Sequence, residues 1–195
     1  MRIIAGTFRG RRLATVRDHS VRPTTDRVKQ ALFDALAVRF TFEGSAVLDL
    51  FAGSGSLGLE ALSRGATHAT FIEHSPPVLG ILEENIRTLG CTDRTTVLRT
   101  DVIRYLRESR RTFDLVFIDP PYKLPEIGTL PMLAYSSGAV RDGGIVVMEH
   151  SRETIVTLDE TAYDIVRKGF GQTTALILTA RPRTATPPIP QGTAT

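Results

Sequence analysis

The sequence predicts an α/β fold: a doubly wound, mostly parallel sheet, closed by an antiparallel hairpin and preceded by a small basic hairpin-and-helix extension. Three observations predict it. Short apolar runs rich in β-formers alternate with amphipathic stretches of helical period, the signature of consecutive βα units. One such run, Ala46–Phe51, passes through Gly53-x-Gly55-x-x-Gly58 into an apolar helical stretch. Another, Phe113–Ile118, stops at Asp119-Pro120-Pro121-Tyr122, where two prolines forbid both strand continuation and helix entry.

The bulk composition bounds the rest. A chain of 195 residues, 42% hydrophobic and 23% charged, buries one ordinary core with material left for an appendage. The single cysteine, Cys91, excludes an intrachain disulfide and a thiolate metal cluster, and four scattered histidines give no metal spacing, so no metal is expected. A reducing, cytoplasmic setting fits. No apolar run approaches the ~18 residues of a membrane span, and Met1-Arg-Ile-Ile-Ala-Gly6 is charged too early for a signal peptide. The charge is lopsided: residues 1–30 hold eight bases and two acids, whereas the whole chain is only +3. A basic arm on a mildly acidic body points to a polyanion, foremost nucleic acid.

In chain order, Arg2-Ile-Ile-Ala and Arg11-Arg-Leu flank Gly6-Thr-Phe-Arg-Gly10, a small basic hairpin whose thin apolar face must lean on something else. Thr24 or Thr25 can cap a helix with Asp26 in its first turn, and Val28, Leu32, Phe33 and Leu36 carry the apolar stripe to about Phe40. The first sheet strand, Ala46–Phe51, enters the glycine turn, and its helix ends at Arg64-Gly65. Ala69–Glu73 is a strand ending in an acid. Ser75 caps the next helix, with Pro76 and Pro77 in its first turn and Val78, Leu79, Leu82 and Ile86 facing inward. Thr95–Thr100 is a third strand followed by Asp101, and a short helix spans Val102 to about Glu108. After the Phe113–Ile118 strand, a helical stretch from about Glu126 to Ser137 is interrupted by Pro131. Gly144–Glu149 is a buried strand, and Tyr163–Lys168 with Thr174–Leu178 form the closing hairpin. Arg181–Thr195, rich in Pro, Thr and Ala, is expected to be a disordered tail.

The glycine fingerprint with Glu73 twenty residues after Gly53 fits two chemistries, because a nicotinamide dinucleotide and S-adenosyl-L-methionine both present ribose hydroxyls to an acid after the second strand. Three features favour the second. Asp49 can receive a ligand ammonium, whereas a pyrophosphate would be repelled there. Asp101 can accept from an adenine amine. Asp119-Pro-Pro-Tyr122 has no role in hydride transfer. The plainer alternatives are a structural carboxylate taking turn N–H groups for Asp49, and helix-capping or surface acids for Glu73 and Asp101.

Asp49-Leu-Phe-Ala-Gly-Ser-Gly55 with Asp119-Pro-Pro-Tyr122 resembles the amino-methyltransferases that act on exocyclic base amines. More narrowly, Arg2-Ile-Ile-Ala-Gly6, Arg9-Gly-Arg11, Arg22-Pro-Thr-Thr-Asp-Arg27 and Phe170-Gly-Gln-Thr173 resemble the bacterial RsmD-type family. The resemblance covers roughly residues 2–178 and implies a Rossmann-like methyltransferase sheet acting on N2 of a guanine in small-subunit ribosomal RNA. It implies S-adenosyl-L-methionine held by Asp49, Phe51, Ala52, Gly53, Ser54, Gly55, Glu73, His74, Asp101 and Val102. It implies catalysis by Asp119, Pro120, Pro121 and Tyr122, and RNA contacts by Arg2, Arg9, Arg11, Arg12, Arg22 and Arg27. Where relatives often carry an acid or Asn after the second strand's acid, this chain has His74-Ser75.

The expected organisation is a basic extension at 1–42, a methyltransferase core at 43–180 and a tail at 181–195. The expected substrate is ribosomal RNA, free or within an assembled or assembling small subunit, with no membrane and no obligate protein partner. Competing readings are adenine-N6 methylation of DNA or RNA, a nicotinamide-dependent oxidoreductase, and an RNA-binding protein without catalysis.

Overall fold

The structure, a computed structural model, describes residues 1–15 and 26–181. The expected cap at Thr24 or Thr25, Arg22 and the stretch from residue 182 onward lie outside the described residues. The elements are α1 (Asp26–Ala37), β1 (Ala46–Leu50), α2 (Ser56–Ser63), β2 (His68–Glu73), α3 (Pro76–Leu89), β3 (Thr95–Arg99), α4 (Val102–Glu108), β4 (Phe113–Ile118), α5 (Leu130–Ser136), β5 (Val140–Ser151), β6 (Tyr163–Phe170) and β7 (Thr173–Ala180). They build one seven-stranded sheet in the order β3-β2-β1-β4-β5-β7-β6. All strands run one way except β7, which pairs antiparallel with both β5 and β6. The closing hairpin is therefore present, with its second strand inserted between β5 and its first. From β1 the chain winds out to β2 and β3, then returns past β1 to β4 and β5. The winding direction reverses between β1 and β4, which opens a crevice at the carboxyl ends of those two strands.

The strands are buried on both faces, which is why they read as near-continuous apolar runs. On one face Val47, Phe71, Leu115 and Phe117 pack with Leu32 and Phe33 of α1, Leu59 of α2 and Leu82 of α3. On the other, Leu48, Val116 and Met148 pack with Tyr105 and Leu106 of α4 and Leu130 of α5.

The amino-terminal hairpin joins the first face. Arg2 and Arg12 form an antiparallel bridge, and the Ile3 and Gly10 N–H groups donate to the Arg11 and Ile3 carbonyls at 2.9 Å each. Its thin apolar side does lean on something: Ile3 is fully buried, and the strand docks on α2. The Thr7 N–H donates to the Ser63 carbonyl at 2.8 Å. Gly6 is required at that contact, because a Cβ there would lie 1.7 Å from the Ser63 carbonyl oxygen. Glu60 is the anchor. Its carboxylate accepts from Ile4 N–H at 2.8 Å, Ala5 N–H at 3.1 Å and Arg64 Nε at 2.9 Å, and lies 3.3 Å from Lys29 Nζ. Lys29 and Glu60 side chains are both fully buried, and Lys29 Nζ also donates to the Arg2 carbonyl at 2.7 Å. A buried charge is tolerated only with such a complete partner set.

Local readings shift in five places. The α1 helix ends at Ala37, and turns onto the Leu36 carbonyl carry the chain to Phe40. Pro131 begins α5 rather than interrupting a helix, because a first-turn residue has no intrahelical N–H bond to lose. Ser75 occupies the cap position of α3, but its side chain makes no capping bond. The inward stripe of α3 is Leu79, Leu82, Asn85, Ile86 and Leu89, with Val78 only half-buried. β5 extends well beyond Gly144–Glu149 on both sides. Among the described residues, no helix is long and apolar enough to cross a membrane.

Candidate active site

Strand register gathers acids at the carboxyl edge of the first face. Asp49 pairs with Phe71 of β2 and Phe117 of β4. Side chains alternate along a strand, so Glu73 and Asp119, each two residues further on, share the face of Asp49. Ile118 pairs with Met148, so Glu149 of β5 follows beside Asp119 on the same face. Four carboxylates from four adjacent strands thus rim the crevice. Among the described residues they do not close into a group able to hold a metal ion.

Asp49 is 2% exposed, and its Oδ2 accepts from the Gly58 N–H at 2.9 Å. The glycine is dictated by this approach: a Cβ on Gly58 would lie 2.5 Å from the Phe71 ring and 3.1 Å from Asp49 Oδ2. Burial pushes the Asp49 carboxyl up to about 7, and Glu73 adds to the rise against the Gly58 bond.

The turn between β1 and α2 is tightly held. Phe51 adopts φ 59°, left-handed backbone in a residue with a large side chain, a conformation unfavourable by roughly 1–3 kcal/mol. Bonds on either side enforce it: Ala52 N–H to the Ile72 carbonyl at 3.0 Å, and Gly55 N–H to the Ala52 carbonyl at 2.8 Å. Glu73 braces the same turn, taking Gly53 N–H on Oε2 at 3.1 Å and Ser75 N–H on Oε1 at 2.8 Å. A carboxylate has about four acceptor positions, so two bonds leave Glu73 able to receive hydroxyls. Asn85 of α3, 2% exposed, secures the turn from below. Its Nδ2 donates to the Ser54 carbonyl at 2.9 Å and the Ala14 carbonyl at 3.0 Å, and its Oδ1 accepts from Ala14 N–H at 2.8 Å.

Asp119 continues β4 by one residue, its N–H reaching the Leu50 carbonyl at 3.5 Å. It keeps partial contact with solvent, yet its carboxyl is held well above the ordinary range by lost solvation, then by Glu149 and Asp49. Pro120 is buried. The Pro121 carbonyl accepts from Leu124 N–H at 3.0 Å, while no described residue donates to that of Pro120. Tyr122 is 50% exposed at the mouth.

The other sequence-predicted residues are placed as follows. Asp101 caps α4, its Oδ1 taking Arg104 N–H at 2.9 Å while the side chain stays exposed; Val102 is buried behind it. His74 is exposed, with Nδ1 3.5 Å from Glu73 Oε1. In the arm, Arg2 pairs with Asp26 at 2.9 Å and Arg11 donates to the Thr88 carbonyl. Arg9, Arg12 and Arg27 are exposed, with no carboxylate partner among the described residues. Arg94, absent from the sequence reading, stands over the Phe8 ring at 5.4 Å and adds a base beside the hairpin tip. Glu149 and Asn85 were also missed. Glu149 carried the signal that marked Asp49 and Glu73, an acid at a strand's carboxyl end; Asn85 carried none. A cavity of about 600 Å³ that includes Arg107, Glu126, Tyr135 and Tyr163 lies on the α4–α5 side, away from the four acids.

Residues 1–179 match the family model of "Conserved hypothetical protein 95". The chain is 40% identical to YlbH of Bacillus subtilis over 169 residues, covering 85% of this chain and 90% of that one. It is 37% identical over 153 residues to ribosomal RNA small subunit methyltransferase D of Escherichia coli K12, covering 78% and 76% of the two chains. The solved structure of the yhhF protein of Escherichia coli superposes with a TM-score of 0.81 at 32% identity, over 92% of this chain and 97% of that one.

Proposed function

We infer the function from the family to which this chain belongs, that of conserved hypothetical protein 95, the RsmD-type family. It is an S-adenosyl-L-methionine-dependent ribosomal RNA methyltransferase. We propose more specifically that it methylates the exocyclic N2 amine of one guanine in small-subunit ribosomal RNA, in the cytoplasm, on free RNA or an assembling subunit.

The observation that carries this reading is the meeting of two parts at the winding reversal. The glycine turn with Asp49 and Glu73 lies on β1 and β2, and Asp119-Pro-Pro-Tyr122 lies across the crevice on β4. The cofactor fits these residues. A buried carboxylate with one hydrogen bond and an elevated proton affinity is a place for a cation, so Asp49 suits the methionine ammonium. The spare acceptor positions of Glu73 suit ribose hydroxyls. When bound, the cofactor supplies an electrophilic methyl group on a sulfonium.

The protein's own part is to prepare the amine. Its lone pair is delocalised into the guanine ring, so the nitrogen is a poor nucleophile. Acceptors aimed at both N–H bonds draw it toward tetrahedral geometry. Asp119 and the open Pro120 carbonyl are such a pair, fixed by the prolines. Tyr122, half exposed beside them, is placed to stack on a base turned out of its helix. A carboxylate favours guanine, which offers N1–H and N2–H together. The exposed Arg9, Arg12 and Arg27 would hold phosphates.

Labelled methyl transfer to unmodified small subunits, naked ribosomal RNA, tRNA and DNA, followed by nucleoside analysis, tests the reading. Labelled N2-methylguanine from ribosomal RNA is expected. Label found mainly in N6-methyladenine overturns it.

A further inference from the structure

The crevice holds one acid that the reaction as described does not use. Glu149 stands near the carboxyl end of β5, beside Asp119 on the neighbouring strand and on the same face of the sheet. It is 8% exposed, and the four strand residues before it are also buried. Adjacent strands lie about 4.8 Å apart, which sets two such carboxylates within direct electrostatic reach. The acids that bear on Asp119 are Glu149 from β5 and, more weakly, Asp49 from β1; Glu73 of β2 stands one strand beyond and acts on Asp49.

Resting on the guanine reading above, we propose that Glu149 is a positioning residue for the amine acceptor: its carboxylate, set beside Asp119, makes Asp119 the stronger proton acceptor, so that the proton shed by the methylated amine passes to Asp119. Methylation forms one N–C bond and breaks one S–C bond, whose electron pair stays on sulfur. The nitrogen is left with a positive charge and a surplus proton. Asp119 already accepts the N–H hydrogen bond, so the proton moves along it to the carboxylate and from there to water. An isolated surface aspartate would take that proton poorly. A neighbouring anion destabilises the charged form of Asp119 and favours the protonated one. Such tuning toward the working pH is what makes a carboxylate an effective base. The burial of Glu149 gives this proximity its force, because it limits the water that could relieve it.

The test follows the proton on Asp119 directly. Protein labelled with ¹³C at aspartate side-chain carboxyls is titrated by NMR, with Asp119→Asn identifying the resonance. In Glu149→Gln, which keeps volume and removes charge, the Asp119 midpoint should fall by about one unit or more. The acid limb of kcat in methyl transfer should fall with it. At the optimum, kcat should drop about tenfold while cofactor Kd stays within about twofold. Glu149→Asp, which restores the charge one methylene short, should return the midpoint most of the way. An Asp119 midpoint that stays put in Glu149→Gln overturns the proposal, as does an unmoved rate profile. The titration needs no RNA: a midpoint that moves in a protein that methylates adenine instead would overturn the guanine reading and leave the tuning of Asp119 intact.

Discussion

Replacing Asp49 by Asn should make the cofactor-free protein more stable at high pH and cripple its hold on the methyl donor. Asn keeps the shape, and its Oδ1 can accept the Gly58 N–H that Asp49 now takes at 2.9 Å. What it removes is a buried charge. The carboxyl is raised from 3.8 to about 7, chiefly because burial strips its solvent. The folded protein therefore binds this proton more tightly than the unfolded chain. The stabilisation is fully present below the unfolded value of 3.8 and is lost as pH rises through about 7. At about 1.4 kcal/mol per unit the loss approaches about 4 kcal/mol above that range. Urea unfolding at about pH 5 and about pH 8.5 measures it: Asp49→Asn should already be the more stable by about 1.5 kcal/mol at the lower value, and by up to about 4 kcal/mol at the higher. Calorimetric titration with S-adenosyl-L-methionine near pH 8 should show the opposite ranking. Loss of a charge-assisted bond to an ammonium, about 1.5–3 kcal/mol, weakens binding by about 10- to 100-fold. If Asp49→Asn gains nothing at the higher pH, or binds the cofactor as wild type does, the charge argument is wrong.

Asp119→Ala should abolish methyl transfer, by at least about a hundredfold in kcat, while cofactor affinity measured by the same calorimetry stays near wild type; a variant with substantial turnover would remove Asp119 from the chemistry. Changing Arg9, Arg12 and Arg27 together to Gln should weaken RNA binding and flatten the plot of log affinity against log salt by about two units, as three phosphate contacts require; an unchanged slope assigns the arm another use. Gly58→Ala should lower unfolding free energy by about 1–3 kcal/mol, because the new methyl group meets the Phe71 ring. Weaker cofactor binding should accompany it, since the Asp49 bond shifts too, and wild-type stability would show that α2 can move away freely.

What the sequence disclosed and what it hid divide along a physical line. Chain-local signals were legible. The apolar run into Gly53-x-Gly55-x-x-Gly58 gave β1 and α2, and Asp119-Pro-Pro-Tyr122 gave the end of β4. Contacts between distant segments were not. Lys29 and Glu60 look like ordinary helix charges until the fold buries both and brings the backbone of Ile4 and Ala5 onto Glu60. Asn85 is one polar residue in an amphipathic helix, and only packing shows it bonded to Ser54 and Ala14 at once. Glu149 lay between these cases. Its place at a strand end could be read, but its partnership with Asp119 needed the register of β4 on β5. Asp101 was legible in part: the sequence offered a cofactor contact or a helix cap, and the structure shows the cap while leaving the side chain exposed.

The Glu60 anchor bears on how the chain folds during synthesis. The hairpin leaves the ribosome before α2, and its backbone donors at Ile4 and Ala5 have only water as acceptor until Glu60 follows some fifty-five residues later. Glu60 in turn has no place in a dry interior until Lys29 and the hairpin close over it. The docked hairpin and the buried Glu60 thus complete one another, and we expect the hairpin to dock only once α2 has formed. Cutting away the hairpin to obtain a methyltransferase deaf to RNA would accordingly strip the buried Glu60 of its two backbone donors and leave it only Lys29 and Arg64. Point changes at the exposed arginines are the way to silence the arm.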